Sequence, residues 1–312
     1  HKEYRRQRQM CIRDSYQLLA SNRVPASAAV STTVELAKRH GLSRLAAVVN
    51  GLLRSFLRRR EAGEELGLLG DPGTDAATRL GVSQSLPQWL AHQLLQWLPA
   101  ERAEAYGRAC NTPPSLDLRV NRLRSTPEAV RAALAAAGVS TEPITELPWA
   151  LTVIGRCGDL RRLPGYAEGH WCVQDRTAQC IAPLLNPQPG ERILDACAAP
   201  GGKSTHLAEL MDDQGTVLAL DRGAARLRRV ARNSERLGLQ CIEPRHGDLL
   251  ELATVAPELR GQFDRLLLDA PCSGLGTLAR HADARWRVDP AAIDALAALQ
   301  SELIAAALPL LK

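Results

Sequence analysis

The second half of the chain alternates between short apolar runs and helical stretches. From Glu191 on, "RILDAC", "GTVLALD", "CIEPRHGD" and "FDRLLLDAP" have the length and apolar content of buried strands, and a last helix is expected from about Pro290 to Leu311. Strands that alternate with helices predict a parallel, doubly wound α/β sheet. Ligands of such sheets bind outside the carboxyl ends of the strands. The carboxyl ends of these strands are therefore the expected place of a ligand site.

A glycine-rich turn follows the first of these strands. In "DACAAPGGKS", two glycines allow a close approach of the backbone to a ligand, and the helix that follows offers free N–H groups to an anion. A Walker phosphate loop would need glycine where Cys197 stands, and the G-x-G-x-x-G dinucleotide pattern is absent. The turn favours a compact ligand with one carboxylate and one nucleoside, such as S-adenosylmethionine. The predicted cofactor-binding residues are Cys197, Ala198, Ala199, Pro200, Gly201, Gly202 and Lys203.

The next three strands carry an aspartate at their carboxyl ends. Asp221 stands where a carboxylate accepts hydrogen bonds from ribose hydroxyls, and Asp248, in "HGD", can meet the edge of an adenine. Asp269 ends the fourth strand. A lone strand-end aspartate is often only a helix cap. Three in succession beside the glycine-rich turn predict a nucleoside pocket.

A cysteine follows the fourth strand in "LLLDAPCSGLG". A thiolate can add to carbon 6 of a pyrimidine, which makes carbon 5 electron-rich enough to accept a methyl group. Cysteine is also a common small buried residue. Cys272 follows Asp269 and precedes a flexible turn, so we interpret it as a catalytic residue.

The N-terminal part is basic. Residues 1–60 contain 13 Lys and Arg against 3 Asp and Glu, and the rest of the chain has a net charge of −5. Such asymmetry predicts a module that faces nucleic acid, although a solvated helix surface would look the same. Residues 16–60 are predicted to be helical, within a domain expected at 16–70, and an amphipathic helix at 45–60 ends in Arg58, Arg59 and Arg60. Residues 1–15 contain "MCIRDS", which resembles translated adapter sequence, and we expect a non-native or disordered tail there.

The middle of the chain predicts a linker with helices at 71–109 and a small α+β module at 110–170. Glu61 to Gly81 shows little periodicity and is expected to be a loop. "SLPQWLAHQLLQWLP" predicts a helix with its tryptophans in the core rather than as stacking platforms for bases. "LDLRVN" and "WALTVIG" alternate like strands, with a helix at 127–137 between them, and another helix is expected around Ala178 to Leu185.

The motifs "LDACAAPGGKSTHLAEL", "ALDR", "HGD", "LLLDAPCSGLGT" and "VQDRTAQ" resemble those of the RsmB/Sun/Fmu family of 16S ribosomal RNA cytosine-5 methyltransferases. The resemblance extends from about Leu116 to Lys312. "VVNGLLRSFLRR" is similar to the NusB-like RNA-binding domain of that family. The chain is expected to be truncated at both ends. Residues 171–312 would be the Rossmann-like methyltransferase domain, after a partial NusB-like domain and a small RRM-like RNA-binding module.

The resemblance implies two cysteines in the reaction. The position of Cys272 matches the thiol that helps to release the methylated RNA, and the attacking thiol belongs to a later Thr-Cys-Ser motif that is expected beyond Lys312. DNA cytosine methyltransferases instead attack with a proline-cysteine thiol, so Cys272 is either the helper, which we favour, or the nucleophile. Asp269 would hydrogen-bond the cytosine, which must leave the base stack to be reached.

Other features carry weaker interpretations. His281 and Arg285, just after the catalytic turn, could guide RNA phosphates, and the arginines of "RLRRVARNSERLG" are interpreted as a solvated face. His206 and His246 lack metal-ligand spacing, so no metal is expected. No apolar run was judged long enough to span a membrane, and a cytoplasmic monomer that binds 16S RNA is expected. Two alternatives are an RNA-binding assembly or antitermination factor with a non-catalytic methyltransferase domain, and methylation of another RNA.

Overall fold

The computed structural model describes residues 24–39, 41, 43–63 and 75–312. The chain divides into two compact units, residues 1–83 and 84–312. The tail expected at 1–15 lies outside the described residues. The helices are α1 (Ala26–Arg39), α2 (Ala46–Glu61), α3 (Ala76–Gln84), α4 (Gln88–Trp97), α5 (Ala100–Asn111), α6 (Pro127–Ala136), α7 (Arg176–Gln179), α8 (Ile181–Leu185), α9 (Gly202–Leu210), α10 (Ala224–Leu237), α11 (Leu249–Val255) and α12 (Pro290–Ala307). The strands are β1 (Leu116–Val120), β2 (Ser140–Ile144), β3 (Leu147–Ile154), β4 (Trp171–Val173), β5 (Arg192–Ala196), β6 (Thr216–Asp221), β7 (Ile242–His246) and β8 (Arg265–Leu268).

The first unit is helical in its described part. α1 and α2 pack against each other through Val30, Val49 and Leu53, which are buried. The loop prediction for 61–81 is wrong at its end, because residues 76–81 belong to α3. Asp75 begins that helix by accepting hydrogen bonds from the backbone N–H groups of residues 77 and 78. Residues 64–74 lie outside the described part.

Two findings in α4 and α5 differ from the sequence interpretation. α4 buries Leu90 and Leu94, but Trp97 at its last position is 62% exposed and therefore is not a core residue. α5 lies mostly within residues 71–109, where helices were expected, but the sequence interpretation did not assign it as a separate helix. Its buried face consists of Ala103, Gly107 and Cys110, small residues that add little apolar signal to a sequence pattern.

A small antiparallel sheet with the strand order β2-β3-β1-β4 follows α5. β1 lies at its centre and pairs antiparallel with both β3 and β4. Its Leu118 and Val120 pack with Leu134 of α6, Leu151 of β3 and Trp171 of β4 in one buried cluster. The opposite face of β1 is polar and also buried.

The second sheet is parallel, with the strand order β7-β6-β5-β8. Side chains alternate between its two faces, as strand geometry requires. Ile193, Val217 and Ala219 pack with α9 and α10 on one face, and Leu194 and Leu218 pack with α11 and α12 on the other. The doubly wound α/β fold predicted from the sequence is therefore confirmed, with helices packed on both faces of the parallel sheet.

Two helical segments differ from their predicted form. The helix expected at 178–185 is divided into α7 and α8, and Pro183 within it has no N–H for the helical hydrogen-bond ladder. Pro290–Leu310, the segment of α12, is apolar and long enough to cross a membrane, contrary to the sequence interpretation. A single segment of this kind is weak evidence for a span. Leu303, Ala307 and Leu310 of this segment pack into the core of the parallel sheet.

The close approach at Gly169 yields a stability prediction. Gly169 has a φ of +70°, and a Cβ added there would lie 2.1 Å from the carbonyl oxygen of Arg236. Gly190 also has a positive φ, of +86°, but open space around it. We expect Gly190→Ala to lower the free energy of unfolding by roughly 1–2 kcal/mol through backbone strain, and Gly169→Ala to lower it by about 1–3 kcal/mol more through the clash. Urea unfolding of both variants measures this, and equal losses would contradict the steric argument.

Candidate active site

The turn between β5 and α9 forms one wall of the site. Gly201 has a φ of +99°, and a Cβ on it would lie 3.0 Å from the Cα of Val230, so no larger residue fits there without strain. The N–H of Ala198 donates to the carbonyl of Leu220 at 2.9 Å, which attaches the turn to β6. Asn233 of α10 donates to the carbonyl of Pro200 at 3.1 Å. The predicted glycine-rich turn is thus held from two neighbouring elements.

Asp221 lies at the carboxyl end of β6, where it was predicted. It is buried, and its Oδ2 accepts a hydrogen bond from the N–H of Ala199 at 3.1 Å. Its Oδ1 accepts from the N–H of Gly223 at 2.7 Å and from Arg226 at 2.8 Å. The carboxylate therefore joins the turn after β6 to the glycine-rich turn, and Oδ2 keeps capacity for a further donor.

Asp195, the penultimate residue of β5, is a buried acid that the sequence interpretation passed over. Ser204 donates to its Oδ2 at 2.5 Å, and its Oδ1 has no hydrogen-bond partner. Burial raises the pKa of Asp195 to about 7, and the negative charges of Asp269 and Asp221 act in the same direction. The Ser204 hydrogen bond opposes this rise. The signal for Asp195 was present in the sequence, since an acid stands inside an apolar strand directly before the turn.

Lys203 and Asp269 form an ion pair at the same edge of the sheet. Lys203 lies in the first turn of α9, and Asp269 directly follows β8, with its N–H donating to the carbonyl of Ala196 at 3.3 Å. The lysine is largely buried, whereas the aspartate is 54% exposed. The structure thus brings together two residues that the sequence placed 66 positions apart.

Cys272 lies three residues beyond Asp269 and is exposed. The carbonyl of Pro271, just before it, accepts a hydrogen bond from Gln300 of α12 at 2.8 Å. Cys197 is the other thiol of the site, and its pKa is raised by burial and then by the carboxylates of Asp221, Asp195 and Asp269. Among the residues that the structure describes, all cysteines are free. Cys272 is therefore the accessible thiol at this edge.

Asp248 follows β7 and caps α11. Its Oδ1 accepts a hydrogen bond from the N–H of Leu250 at 3.0 Å. The helix-cap interpretation therefore describes at least part of its role, and contact with an adenine stays a prediction. Within the described ranges, no group of three or more His, Cys, Asp or Glu side chains is placed to hold a metal ion.

The residues predicted to contact RNA have different environments. Arg58, Arg59 and Arg60 lie exposed at the end of α2, and His281 is exposed after the turn that contains Cys272. Arg285 is only 2% exposed, and it donates to the carbonyls of Ser85 and Cys110 at 3.0 Å each. The prediction that Arg285 contacts RNA is therefore corrected, because its guanidinium is buried and holds the loop after Cys272 to the end of α5.

Sequence reasoning also missed a buried polar row on β1. Asp117, Arg119 and Asn121 alternate along the strand and are all almost completely buried. A polar residue at every second position, two in the otherwise apolar strand and one directly after it, was the available signal. The role of these side chains could not be predicted from it, because their hydrogen-bond partners lie far away in the sequence.

The raised pKa of Asp195 predicts a pH dependence of stability. The folded state holds this proton up to about pH 7, whereas the ordinary carboxyl value is 3.8. The unfolded chain therefore releases the proton first, so this group stabilises the fold fully below about pH 4 and loses that contribution as the pH rises through 7. In urea unfolding at pH 5 to 8, the stability of the wild type relative to Asp195→Asn should fall by up to about 1.4 kcal/mol per pH unit and level off above pH 8. Parallel curves for the two proteins would contradict the assignment.

Three protein-family models match successive parts of the chain. Residues 182–312 match the family model described as 16S rRNA methyltransferase RsmB/F, residues 86–158 match the ferredoxin-like domain of RsmF/B-like methyltransferases, and residues 15–58 match the NusB family. A relative described as a probable ribosomal RNA small subunit methyltransferase B from Synechocystis is 46% identical over 95% of this chain and 65% of its own length. The ribosomal RNA small subunit methyltransferase B of Serratia proteamaculans is 40% identical over the same shares.

Solved structures give the same result for the fold. The crystal structure of a methyltransferase homologue from Pyrococcus horikoshii superposes with a TM-score of 0.66 at 28% identity, and the match covers 77% of this chain and 74% of that one. The chain spans about 65% of the length of the curated relatives that it matches. The family matches follow one another along the chain and the relatives are 40–46% identical over nearly all of it, so the chain is similar to the RsmB/F methyltransferases through all three of its matched domains.

Proposed function

We propose that this chain provides the cofactor-binding and base-binding parts of a cytoplasmic enzyme that methylates carbon 5 of a cytosine in 16S ribosomal RNA. The observation that carries the proposal is the meeting of three features at one sheet edge: the glycine-rich turn, the Lys203–Asp269 pair and the exposed thiol of Cys272. The turn can bind the cofactor, the Lys203–Asp269 pair can hold a polar base, and the thiol of Cys272 is accessible to that base. We propose further that the protein acts as a monomer and needs no metal.

The residues around the turn fit S-adenosylmethionine. A Cβ on Gly202 would have no neighbour closer than 3.7 Å, so the turn leaves room beside its backbone. Asp221 would hold the ribose hydroxyls through the free capacity of Oδ2, and Asp248 would meet the adenine. Bound in this place, the cofactor supplies a methyl group on a positively charged sulfur. The nearby carboxylates favour that positive charge.

The protein's own groups would prepare the cytosine. Asp269 would accept a hydrogen bond from the base, and the ammonium of Lys203, which pairs with this carboxylate, would orient it. A thiolate adds to carbon 6 and makes carbon 5 nucleophilic, carbon 5 takes the methyl group, and a base then removes the carbon 5 proton so that the carbon–sulfur bond breaks. We assign the release step to Cys272 and the attack to the later Thr-Cys-Ser motif of the family. The base must leave its stack to enter the site.

Cofactor affinity tests the assignment of Asp221. Asp221→Ala should weaken binding of S-adenosylmethionine by roughly 2 kcal/mol, because hydroxyl donors of the ribose would lose their acceptor. Asp294→Ala, which removes an exposed acid of α12, is the matched control and should leave the affinity unchanged. Isothermal calorimetry measures both, with a thermal melt to verify folding. Unchanged affinity in folded Asp221→Ala would reject the ribose assignment.

Covalent trapping tests the role of Cys272. In a protein that also carries the Thr-Cys-Ser motif, Cys272→Ala should still transfer the methyl group but accumulate a protein–RNA adduct, visible as a slow band on a denaturing gel. Cys180→Ala removes another exposed thiol and should leave no adduct. Digestion of the product RNA and mass spectrometry should identify 5-methylcytidine.

The same gel distinguishes the alternative role. If Cys272→Ala forms no adduct and transfers no methyl group, Cys272 is the attacking thiol rather than the helper. If the wild-type protein with both motifs yields no 5-methylcytidine in 16S RNA, the proposed activity itself is refuted.

A further inference from the structure

β1 of the small sheet has two buried faces of opposite character. Leu118 and Val120 point into the apolar core beneath the sheet. Asp117, Arg119 and Asn121 point the other way, and each is at most 1% exposed. A buried polar side chain is costly unless its hydrogen bonds are satisfied. The partners of this polar face therefore show what it is for.

Arg119 uses all five of its N–H donors. Its Nε and one Nη2 proton form a bidentate pair with Glu209, at 3.1 and 2.7 Å. Its Nη2 also donates to the hydroxyl of Thr205 at 3.0 Å, and its Nη1 donates to the carbonyl of Gly202 at 2.8 Å and to the side chain of Gln174. A guanidinium has five N–H groups, so none is left without a partner.

Most of these acceptors lie on one helix. Gly202, Thr205 and Glu209 belong to α9 and occupy one side of it over its first two turns. Gly202 is the first residue of α9 and the last glycine of the cofactor turn, and Lys203 follows it directly. Gln174 reinforces the contact, because its Nε2 donates to the same carbonyl of Gly202 at 3.3 Å. One side chain from the small sheet therefore holds the start of the cofactor-binding helix.

Stability alone does not account for this arrangement. A buried ion pair loses much of its attraction to desolvation, and well-packed apolar residues of similar volume often serve as well or better. A bidentate guanidinium differs from such residues in fixing distance and direction at several points. The other polar residues of the row hold different elements. Asp117 pairs with Arg176 of α7 at 2.9 Å, and Asn121 donates to the carbonyls of Gly169 and Leu237 at 3.0 Å each.

We propose that Arg119 is a positioning residue of the cofactor site: the small sheet, through Arg119 and Glu209, fixes the glycine-rich turn and Lys203 in the geometry that binds S-adenosylmethionine. This inference rests on the proposed function of the turn. It gives the small module a role in cofactor binding, in addition to the contact with RNA proposed for it. It also makes the cofactor affinity depend on a residue outside the parallel sheet.

The experiment replaces the Arg119–Glu209 ion pair with apolar side chains of similar volume. In the double variant Arg119→Met, Glu209→Leu, we expect a thermal midpoint close to that of the wild type, because the apolar pair fills the same buried volume. Calorimetry should nevertheless show at least tenfold weaker binding of S-adenosylmethionine. Hydrogen–deuterium exchange of the amides at 197–206, measured without cofactor, should be at least tenfold faster. Unchanged affinity or unchanged exchange in the folded double variant would overturn the proposal.

Two further variants keep the test decisive. Asp117→Asn breaks the ion pair between the buried Asp117 and the half-exposed Arg176 without touching α9, and it should lower the thermal midpoint while leaving the affinity within twofold. Arg119→Lys keeps the charge but not the fork, and it should weaken binding at least threefold. If the double variant does not fold, the result for Arg119→Lys decides, and wild-type affinity in it would overturn the proposal.

The same measurements distinguish failure of the proposed function from failure of the positioning role of Arg119. If the wild-type chain does not bind S-adenosylmethionine, the proposed function fails, and the exchange rates at 197–206 still decide whether Arg119 orders the turn. If the wild type binds and every variant binds equally well, only the positioning role is refuted.

Discussion

Parallel pairing of β5 with both of its neighbours is the constraint on which the site depends. Ala196 at the end of β5 lies beside Leu220 of β6 and Leu268 of β8, so the three chains leave the sheet at the same level. Residues that are far apart in the sequence therefore meet at this edge, because each of them directly follows its own strand. The glycine-rich turn, the Asp221 turn and the Asp269–Cys272 turn are the direct continuations of these strands. A shift in register would separate them by a full residue spacing, about 3.3 Å.

The same convergence creates an electrostatic problem, because three carboxyl groups come close together. The structure deals with each of them differently. Asp221 accepts two backbone N–H groups and the guanidinium of Arg226, and Asp269 pairs with Lys203. Asp195 has only the Ser204 hydroxyl, and its pKa is raised to about 7. Two of the acids are therefore paired with a cation, and the third, Asp195, keeps its proton up to near neutrality, which limits the repulsion at this edge.

The sequence predicted the features that depend on local patterns and failed for those that depend on contacts between residues far apart in the chain. The strands, the glycine-rich turn and the strand-end acids depend on local patterns, and the structure has them at the predicted positions. α5 was missed because its buried face is built from Ala103, Gly107 and Cys110, which carry almost no apolar signal. Arg285 was misassigned because an arginine shortly after an exposed turn is expected to face solvent until its carbonyl partners, Ser85 and Cys110, are known. Arg119 was overlooked for the same reason, since its main partner, Glu209, is 90 residues away.

The two thiols of the site show how the surroundings decide which cysteine can react. Nucleophilic attack requires a thiolate. Cys197 lies among three carboxylates in a partly buried turn, and the resulting rise of its pKa keeps it protonated. Cys272 lies outside that group, exposed on a turn whose Pro271 carbonyl is held by Gln300. A thiol at the mouth of a strand therefore has two properties that a buried one lacks: access for a base that has left its stack, and a fixed place next to the carboxylate of Asp269 that would hold that base.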